Sequence, residues 1–206
     1  FSGANEKTAN TILATKKYFV SPAGNDTSDG LSPATAWKTL AKVNAQQFLP
    51  GDQVLLEGGK TFTGYLNIIS SGISGQNIRF ASYGTGKAII SAGGGIGMYI
   101  YNCSFITVDS LIITGTWNAL SQTGNNSHGI LFYTDLPGGI KLGDVAVLSC
   151  DVSGFQKSGI TFLSYPADQS QSGYRNIRVT SCKVFANGAV GIATQGRSAP
   201  AGNTAY

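Results

Sequence analysis

The sequence has no long apolar run and little charge of either sign. Gly, Ser or Asn interrupts each apolar stretch well before the roughly 18 residues that a membrane-spanning helix needs. Charged residues make up 12% of the 206 residues, and 14 Lys and Arg against 10 Asp and Glu give a net charge of +4. This mild excess is not clustered as it is on a surface that binds nucleic acid. We therefore expect neither membrane insertion nor a nucleic-acid partner.

Residues that often carry catalysis are also few. His128 is the one histidine, and glutamate occurs only as Glu6 and Glu57. The sequence contains no Asp-Asp or Asp-x-Asp pair, so it lacks the paired carboxylates that a pectin-hydrolase mechanism needs. No Gly-x-Ser-x-Gly motif marks a serine nucleophile. Hydrolysis by a carboxylate pair and covalent catalysis by serine are therefore disfavoured.

Glycine and β-forming residues are plentiful instead. The chain has 28 Gly, many Ser, Thr, Asn, Ile and Val, and few strong helix formers. This composition predicts an all-β fold of short strands joined by tight turns. The chain begins at Phe1 without a charged and apolar leader, and we expect that a signal sequence has been removed or left out. This interpretation predicts a secreted protein.

Two sets of strand-like segments repeat along the chain in step. The first set begins at residues 78, 106, 145 and 177, with intervals of 28, 39 and 32 residues. The second set begins at residues 66, 98, 130, 160 and 192, with intervals of 32, 32, 30 and 32 residues. Each repeat cannot close a core alone, so the coils must stack at the strand spacing of roughly 4.8 Å. The pattern predicts a parallel β-solenoid.

Alternation within these strands predicts which side chains face the core. Ile130 and Phe132 should point inward, and Leu131 and Tyr133 outward. A glycine directly precedes four of the second-set strands, at a corner where a Cβ would clash. Further inward positions that stack in register are predicted at Ile106, Val108, Leu111, Val145, Val147, Cys150, Ile177, Val179 and Cys182.

The cysteines fit this core. There are three, an odd number, which excludes a complete disulfide framework. Cys150 and Cys182 occupy equivalent positions one coil apart, where other coils hold Leu111 and Tyr83. We interpret them as stacked free thiols, with a disulfide between them as the alternative.

The chain divides into an N-terminal extension or linker, residues 1–16, and a solenoid over residues 17–206. Residues 17–50 hold a first strand and a capping helix, and residues 51–206 hold the coils. No amphipathic element is present in residues 196–206 to cover the last coil. Because bare solenoid ends aggregate, we expect further coils of the same polypeptide, or a partner, to cover this end.

The capping helix has a recognisable start. Ser32 is a favourable N-cap, and Pro33 follows at the first helical position. Apolar residues then recur at helical spacing, with Trp37 beside them. This periodicity predicts one amphipathic helix over residues 34–46.

The repeats resemble a known group of proteins. An Asn or Asp precedes first-set strands at Asn77, Asp144 and Asn176. With the opening segment YFVSPAGNDTSDGLSPATAWKTLAKVNAQQFLPGDQVLLEGGKTF, this pattern resembles secreted bacterial β-helix proteins, including chondroitinase-B-like and alginate-lyase-like polysaccharide lyases. The resemblance covers about residues 17–195. It implies an all-β, right-handed parallel β-helix in a secreted or cell-surface protein, with a polysaccharide as partner.

The resemblance also implies cleavage of an acidic polysaccharide by β-elimination. That reaction needs a cation or Ca²⁺ on the uronate carboxylate, a base for the adjacent C–H, and an acid for the leaving oxygen. The family's Lys/Arg pair and calcium cluster match no particular positions, so we assign no metal ligand. Ca²⁺ stays open as a cofactor, with Asp135, Asp144, Asp151 and Asp168 as its carboxylates. The candidate catalytic residues are His128, Lys141, Lys157 and Arg175. For each of the charged ones a solvated surface group is the more common alternative.

Aromatic residues and long loops predict where a glycan binds. The step from residue 113 to Gly129 is 16 positions, against seven in two later coils, and the extra loop contains Trp117. The segments 133–145 and 163–177 are also long and carry Asp135, Lys141, Asp168, Tyr174 and Arg175. These loops would wall a groove in which Trp117 and three tyrosines bind sugar faces. A structural stack covered by loops is the alternative, and the predicted floor is Tyr99, Tyr101, Leu131, Tyr133 and Thr161.

Two classes of function follow from this sequence. The preferred one is a polysaccharide lyase of uronate-containing polymers, which the positive net charge favours. The other is a non-catalytic, adhesin-like surface solenoid that binds glycan or serves as a spacer.

Overall fold

The structure, a computed structural model, describes residues 15–196. Most of the predicted extension 1–16 and the expected continuation after residues 196–206 lie outside this range. The described part contains one α-helix, α1 (Leu40–Asn44), and short strands throughout. The strands are β1 (Lys17–Val20), β2 (Gln53–Glu57), β3 (Thr61–Thr63), β4 (Leu66–Ile68), β5 (Ile78–Tyr83), β6 (Ala88–Gly93), β7 (Met98–Tyr101), β8 (Ile106–Asp109), β9 (Leu111–Gly115), β10 (His128–Thr134), β11 (Lys141–Leu148), β12 (Asp151–Ser153), β13 (Ser158–Ser164), β14 (Gly173–Thr180), β15 (Lys183–Phe185) and β16 (Val190–Gln195).

The strands form three parallel sheets that run side by side along the molecule. Sheet A has the order β1-β2-β5-β8-β11-β14, sheet B the order β15-β12-β9-β6-β3, and sheet C the order β16-β13-β10-β7-β4. Each turn of the chain contributes one strand to each sheet, and about six turns stack on one another. The predicted all-β parallel solenoid is therefore confirmed.

The predicted core positions stack in register. Val108 pairs with Val147 and Val147 with Val179, as the alignment of the repeats requires. Six of the nine predicted inward residues have no exposed surface. The other three, Ile177, Val179 and Cys182, are half-buried because they lie in the last described coil, where only one neighbouring coil packs on them. All three cysteines are free thiols.

The glycines before the sheet C strands allow close approach between coils. A Cβ on Gly129 would lie 2.4 Å from Val152 Cγ1 and 2.5 Å from the carbonyl oxygen of Gly159. A Cβ on Gly97 would meet the carbonyl oxygen of Gly129 at 2.6 Å. The side chain is therefore excluded here by the neighbouring coil and by the inward side chain of sheet B.

The predicted helix over residues 34–46 is wrong in its extent. A 3-10 turn at Pro33–Thr35 is capped by Ser32, and α1 then begins separately at Leu40 after its N-cap Thr39. Between them Trp37 is extended, because its N–H donates to the carbonyl of Phe19 and it pairs with Val20 at the edge of β1. This pairing satisfies backbone groups that a continuous helix would have used.

The short helix nevertheless covers the end of the core as predicted. Leu40 and Val43 are buried and belong to the same apolar cluster as the first coils. Asn44, the last residue of α1, accepts a hydrogen bond from the backbone N–H of Asn67 in β4 at 2.9 Å. No helix within residues 15–196 is long and apolar enough to cross a membrane.

Candidate functional site on sheet C

Three tyrosines form a stacked group on the outer face of sheet C. Tyr99 and Tyr101 point outward from β7, and Tyr133 on β10 pairs with Tyr101. The ring centroids lie 5.7 to 6.3 Å apart, and the rings are inclined to one another by 14° to 26°. Leu131, which pairs with Tyr99, extends the apolar surface and is 8% exposed. We call Tyr99, Tyr101 and Tyr133 the tyrosine platform.

One end of the platform is held by a carboxylate. The Tyr101 hydroxyl donates to both oxygens of Asp135, at 2.9 and 2.8 Å, and the side-chain amide of Asn102 donates to the same carboxylate at 2.9 Å. These donors hold the pKa of Asp135 below its ordinary value. The hydrogen bond to Asp135 raises the pKa of Tyr101, and burial raises that of Tyr99 to about 12. Tyr99 and Tyr101 therefore carry neutral hydroxyls beside an ionised carboxylate at neutral pH.

A second group of polar residues lies where the sheet C strands begin. Nδ1 of His128 is 2.7 Å from Oγ of Ser158 and 3.4 Å from Oγ1 of Thr161, and the two hydroxyls contact each other. Ser158 and Thr161 are 2% and 1% exposed. Burial and, to a smaller extent, the charge of Lys157 lower the pKa of His128. We call His128, Ser158 and Thr161 the histidine cluster.

A cavity gives access to the histidine cluster. It has a volume of about 370 Å³ and is lined by the cluster, Lys157 and Leu163 among others. Leu163 pairs with Tyr133, so the cavity continues toward the tyrosine platform. Lys157 is exposed and takes part in neither of the two ion pairs found within residues 15–196. Its ammonium group is thus free to meet an anion in this cavity.

The loop that contains Trp117 borders the other side of this cavity. A groove of about 300 Å³ lined by Trp117, Gln122 and Gln156 shares Lys157 and Ala189 with the cavity at the histidine cluster. Trp117 is half-buried, and a Cβ on Gly188 would lie 2.8 Å from its Nε1. The indole therefore lies against a coil further along the solenoid, so the loop spans more than one coil.

The loops at the far end of the strands are shorter than predicted. They cover residues 135–140 and 165–172, and the backbone N–H of Gly138 joins them by donating to Asp168 at 2.8 Å. Tyr174, expected in a loop, lies on β14 and packs edge-on against the core ring of Phe132 at 6.0 Å. The reason is that β11 and β14 pair for longer than the repeat predicted.

Lys141 and Arg175 are likewise on strands, and neither joins the histidine cluster. Lys141, the first residue of β11, donates to the carbonyl of Gln171 and lines a separate cavity. The side chain of Arg175 covers Gly143 on sheet A. A Cβ added to Gly143 would lie 3.0 Å from Cγ of Arg175. Of the four candidate catalytic residues, the structure brings together only His128 and Lys157.

The histidine cluster was not predicted as a unit. Ser158 and Thr161 were not proposed as partners of the histidine. A signal was nevertheless present, since His128-Gly129-Ile130 and Ser158-Gly159-Ile160 align in the repeat and the two strands pair at these residues. Equivalent positions in adjacent parallel strands are neighbours, so a histidine and a serine in this column should meet.

The carboxylates that were considered for Ca²⁺ do not form a site. Within residues 15–196 no three His, Cys, Asp or Glu side chains are grouped to hold a metal ion. Asp151 pairs with Lys87 at 2.9 Å, and Asp144 accepts from Asn176 at 3.1 Å. Asp135 accepts from Tyr101 and Asn102, and Asp168 accepts from the backbone N–H of Gly138. These residues do not fit a bound Ca²⁺, and no step of a mechanism is derived through one.

Comparison with known proteins identifies similar folds. No protein-family model matches this chain, and no curated protein matches it. The GH136 lacto-N-biosidase from Eubacterium ramulus superposes with a TM-score of 0.70 and 23% identity, over 81% of this chain and 34% of that one. A rhamnogalacturonan lyase superposes with a TM-score of 0.52 and 16% identity, over 91% of this chain and 64% of that one. This chain thus spans only 34% of the length of the lacto-N-biosidase, and the likeness is one of fold.

Proposed function

We propose that this chain is a carbohydrate-active β-helix protein that binds an acidic polysaccharide on the outer face of sheet C and cleaves it by β-elimination. The observation that carries the proposal is the tyrosine platform, which continues through Leu163 into the cavity lined by Lys157 and His128. The names of the two similar structures, a lacto-N-biosidase and a rhamnogalacturonan lyase, support a glycan as ligand. Secretion or display at the cell surface is part of the same proposal, since such polymers lie outside the cell.

The platform suits a sugar chain. Aromatic rings bind the apolar faces of sugars, and a rigid sheet fixes the rings before the ligand arrives. The three rings are half-buried, so their outer surfaces stay accessible. The Asp135 carboxylate and the oxygen of the Tyr101 hydroxyl, whose hydrogen is donated to Asp135, supply acceptors for sugar hydroxyls at the edge of the platform.

The neighbouring cavity suits the chemistry of a uronate. In β-elimination a base removes the proton from the carbon next to the carboxylate, and its electron pair forms a carbon–carbon double bond. The glycosidic C–O bond breaks, and the departing oxygen takes up a proton. Negative charge builds on the carboxylate during this step, so a cation placed there stabilises the transition state. Lys157 supplies the cation, and His128 supplies a polar group beside it.

Incubation with defined glycans tests the proposal. The panel contains polygalacturonate, rhamnogalacturonan, alginate and chondroitin, with neutral lacto-N-tetraose and galactan as comparison. Cleavage by elimination gives an unsaturated product that absorbs in the ultraviolet, and each reaction is run with and without a chelator. Increased absorbance with an acidic polymer supports the proposal, whereas new reducing ends without absorbance would replace elimination by hydrolysis. Binding without either product would identify a glycan-binding solenoid, and no binding to any glycan would refute the proposal.

A further inference from the structure

Two buried hydroxyls on the outer face of sheet C break the pattern of the solenoid. Thr161 aligns with Leu131 in the coil before and with Ala193 in the coil after. Ser158 aligns with Val190 in the coil after. If each coil needed a hydroxyl at these positions in order to stack, the neighbouring coils would have one too. The repeat therefore does not require a hydroxyl here. Both hydroxyls occur in the one coil that faces the imidazole of His128.

Buried hydroxyls need acceptors for their hydrogens, and this need decides how the hydrogen bonds run. Among the described residues, Thr161 Oγ1 contacts only Ser158 Oγ and His128 Nδ1. If the imidazole carried its hydrogen on Nδ1, it would donate to Ser158, and Ser158 would donate to Thr161. The hydroxyl hydrogen of Thr161 would then be buried without an acceptor.

The opposite direction gives an acceptor to the hydrogen of each buried hydroxyl. Thr161 donates to Ser158, and Ser158 donates to an unprotonated Nδ1 of His128. The neutral imidazole then carries its hydrogen on Nε2, the ring nitrogen that Ser158 leaves available to the cavity. The lowered pKa of His128 agrees with a neutral ring at pH 7, since burial disfavours the charged form.

We infer that Ser158 and Thr161 hold His128 with its hydrogen on Nε2, and that this N–H and the Lys157 ammonium together bind one carboxylate of the glycan. The second half of this inference rests on the proposed function. Both donors line the same cavity, and a charge-assisted hydrogen bond from Lys157 beside a neutral one from His128 satisfies the two oxygens of one carboxylate. Ser158 and Thr161 act through His128 and are positioning residues.

The arrangement also serves the elimination step. As the proton leaves the carbon next to the carboxylate, charge accumulates on the two carboxylate oxygens. An N–H held in place by Ser158 and an ammonium group at the same cavity bind the transition state, in which this charge is larger, more strongly than the ground state. A neutral imidazole that donates from Nε2 does so without the cost of burying a charged ring.

Nitrogen NMR of the imidazole tests the first half without any ligand. His128 is the only histidine, so ¹⁵N-histidine labelling of the 206-residue chain gives one imidazole with no assignment ambiguity. The chemical shifts separate a protonated ring nitrogen from an unprotonated one. We expect a protonated Nε2 and an unprotonated Nδ1 at pH 7.5, and a protonated Nδ1 would overturn the inference.

Variants separate positioning from mere packing. In Ser158→Ala the donor to Nδ1 is lost, and both ring nitrogens should shift toward the values of an averaged pair of tautomers. Ser158→Thr retains a hydroxyl and should restore the wild-type shifts, and Ser91→Ala, a hydroxyl removed from sheet B, should leave them unchanged. Ring shifts that stay unaltered in Ser158→Ala would contradict the positioning role, whatever happens to the melting temperature. Ser158→Val, which also removes the hydroxyl and introduces the residue that the next coil holds at this position, repeats the comparison if Ser158→Ala does not fold.

An oligogalacturonide tests the second half. Its addition should shift the Nε2 resonance of His128, and Lys157→Gln should weaken this response severalfold. If tyrosine fluorescence reports binding while the Nε2 resonance stays unchanged, the carboxylate site is refuted and the glycan-binding proposal survives. If the oligogalacturonide changes neither signal, and no other glycan of the panel binds, the proposed function fails. The tautomer would then stand on the ligand-free spectrum alone.

Discussion

The inward and outward positions of the sheet C strands differ in how the residue type varies from coil to coil. Inward, one apolar residue follows another from coil to coil, and Leu66, Met98, Ile130 and Ile160 have no exposed surface. Outward, each coil contributes a residue of different chemistry. That outward column reads Asn67, Tyr99, Leu131, Thr161 and Ala193.

The difference shows which positions are free to serve a ligand. The core column must repeat, because each coil packs on the next and a misfit would leave a cavity. The outward column has no such constraint, so aromatic rings and buried hydroxyls there need another explanation. On sheet A two of the outward charges, Arg79 and Asp109, bind each other in a 2.7 Å ion pair. This variation of the outward column is one reason why we propose sheet C as the ligand-binding face.

The largest effect is expected from breaking the core beneath the platform. Phe132 is fully buried and stacks on Phe162 with ring centroids 4.7 Å apart. Phe132→Ala should lower the free energy of unfolding by about 3–5 kcal/mol, because it removes packing and leaves a cavity. Urea denaturation followed by circular dichroism measures this change. Leu163→Ala, on the outward side of the next strand, is the matched control and should lower the free energy of unfolding much less. Equal losses would mean that the outward positions are as constrained by packing as the inward ones.

Removing platform rings should affect binding and spare the fold. Each ring contributes about 0.5–1.5 kcal/mol, so Tyr101→Ala with Tyr133→Ala should weaken glycan binding by roughly 5- to 150-fold. Titration followed by calorimetry measures the affinity for the glycan selected from the panel. Tyr83→Ala removes a tyrosine from sheet A, where it packs edge-on against Phe19 at 5.1 Å, and should leave affinity unaltered. If the Tyr83 variant binds as weakly as the double variant, sheet C is not the binding face.

Lys157 should matter for charged ligands alone. Lys157→Gln should weaken binding of an acidic glycan by roughly fivefold at low salt, in line with about 1 kcal/mol for an accessible ion pair. The loss should shrink as salt screens the pair. Calorimetric titrations at two salt concentrations, with Lys183→Gln on sheet B as the control variant, measure both effects. A similar loss for a neutral glycan would mean that Lys157 acts on the shape of the cavity and not on charge.

The sequence was sufficient for the fold because the core column repeats. The alignment of four strands around Val108 and Val147 predicted the register that the structure has. The sequence was insufficient for the extent of the helix, because backbone pairing overrides the helical periodicity of the side chains. At Trp37 a strand-like contact with β1 interrupts the predicted helix. For the same reason Lys141 and Arg175 were predicted in loops that wall the groove but lie on strands, because the spacing of repeats does not say where a paired strand resumes.

The candidate site was predictable only in part. Alternation correctly placed three tyrosines on one face of the sheet. This prediction depends only on the sequence of each strand and not on the side chains of neighbouring coils. The contacts of His128 depended on which hydroxyls the next coil brings within hydrogen-bond distance, and on how deeply they are buried. Those properties arise from stacking between coils and are visible only once the register is combined with side-chain geometry.

The smallest effect concerns pH, and it compares the buried cluster with the exposed platform. In the folded chain burial, and then Lys157, lower the pKa of His128 from 6.5, whereas the unfolded chain keeps the ordinary value. As pH falls below about 6.5 the unfolded chain therefore takes up a proton first, so the free energy of unfolding declines until the folded pKa is passed. Urea denaturation at pH 8 and at successive values down to pH 5 measures the decline.

His128→Gln should remove the decline that is due to the histidine. The losses due to Asp135 and Asp168, whose pKa values are lowered from 3.8, begin only at more acidic pH and stay in both proteins. Tyr133→Ala, which leaves the histidine in place, should follow the wild-type curve. Parallel curves for wild type and His128→Gln between pH 8 and 5 would show that the imidazole is equally easy to protonate in both states, and the neutral, buried histidine on which the carboxylate site depends would have to be given up.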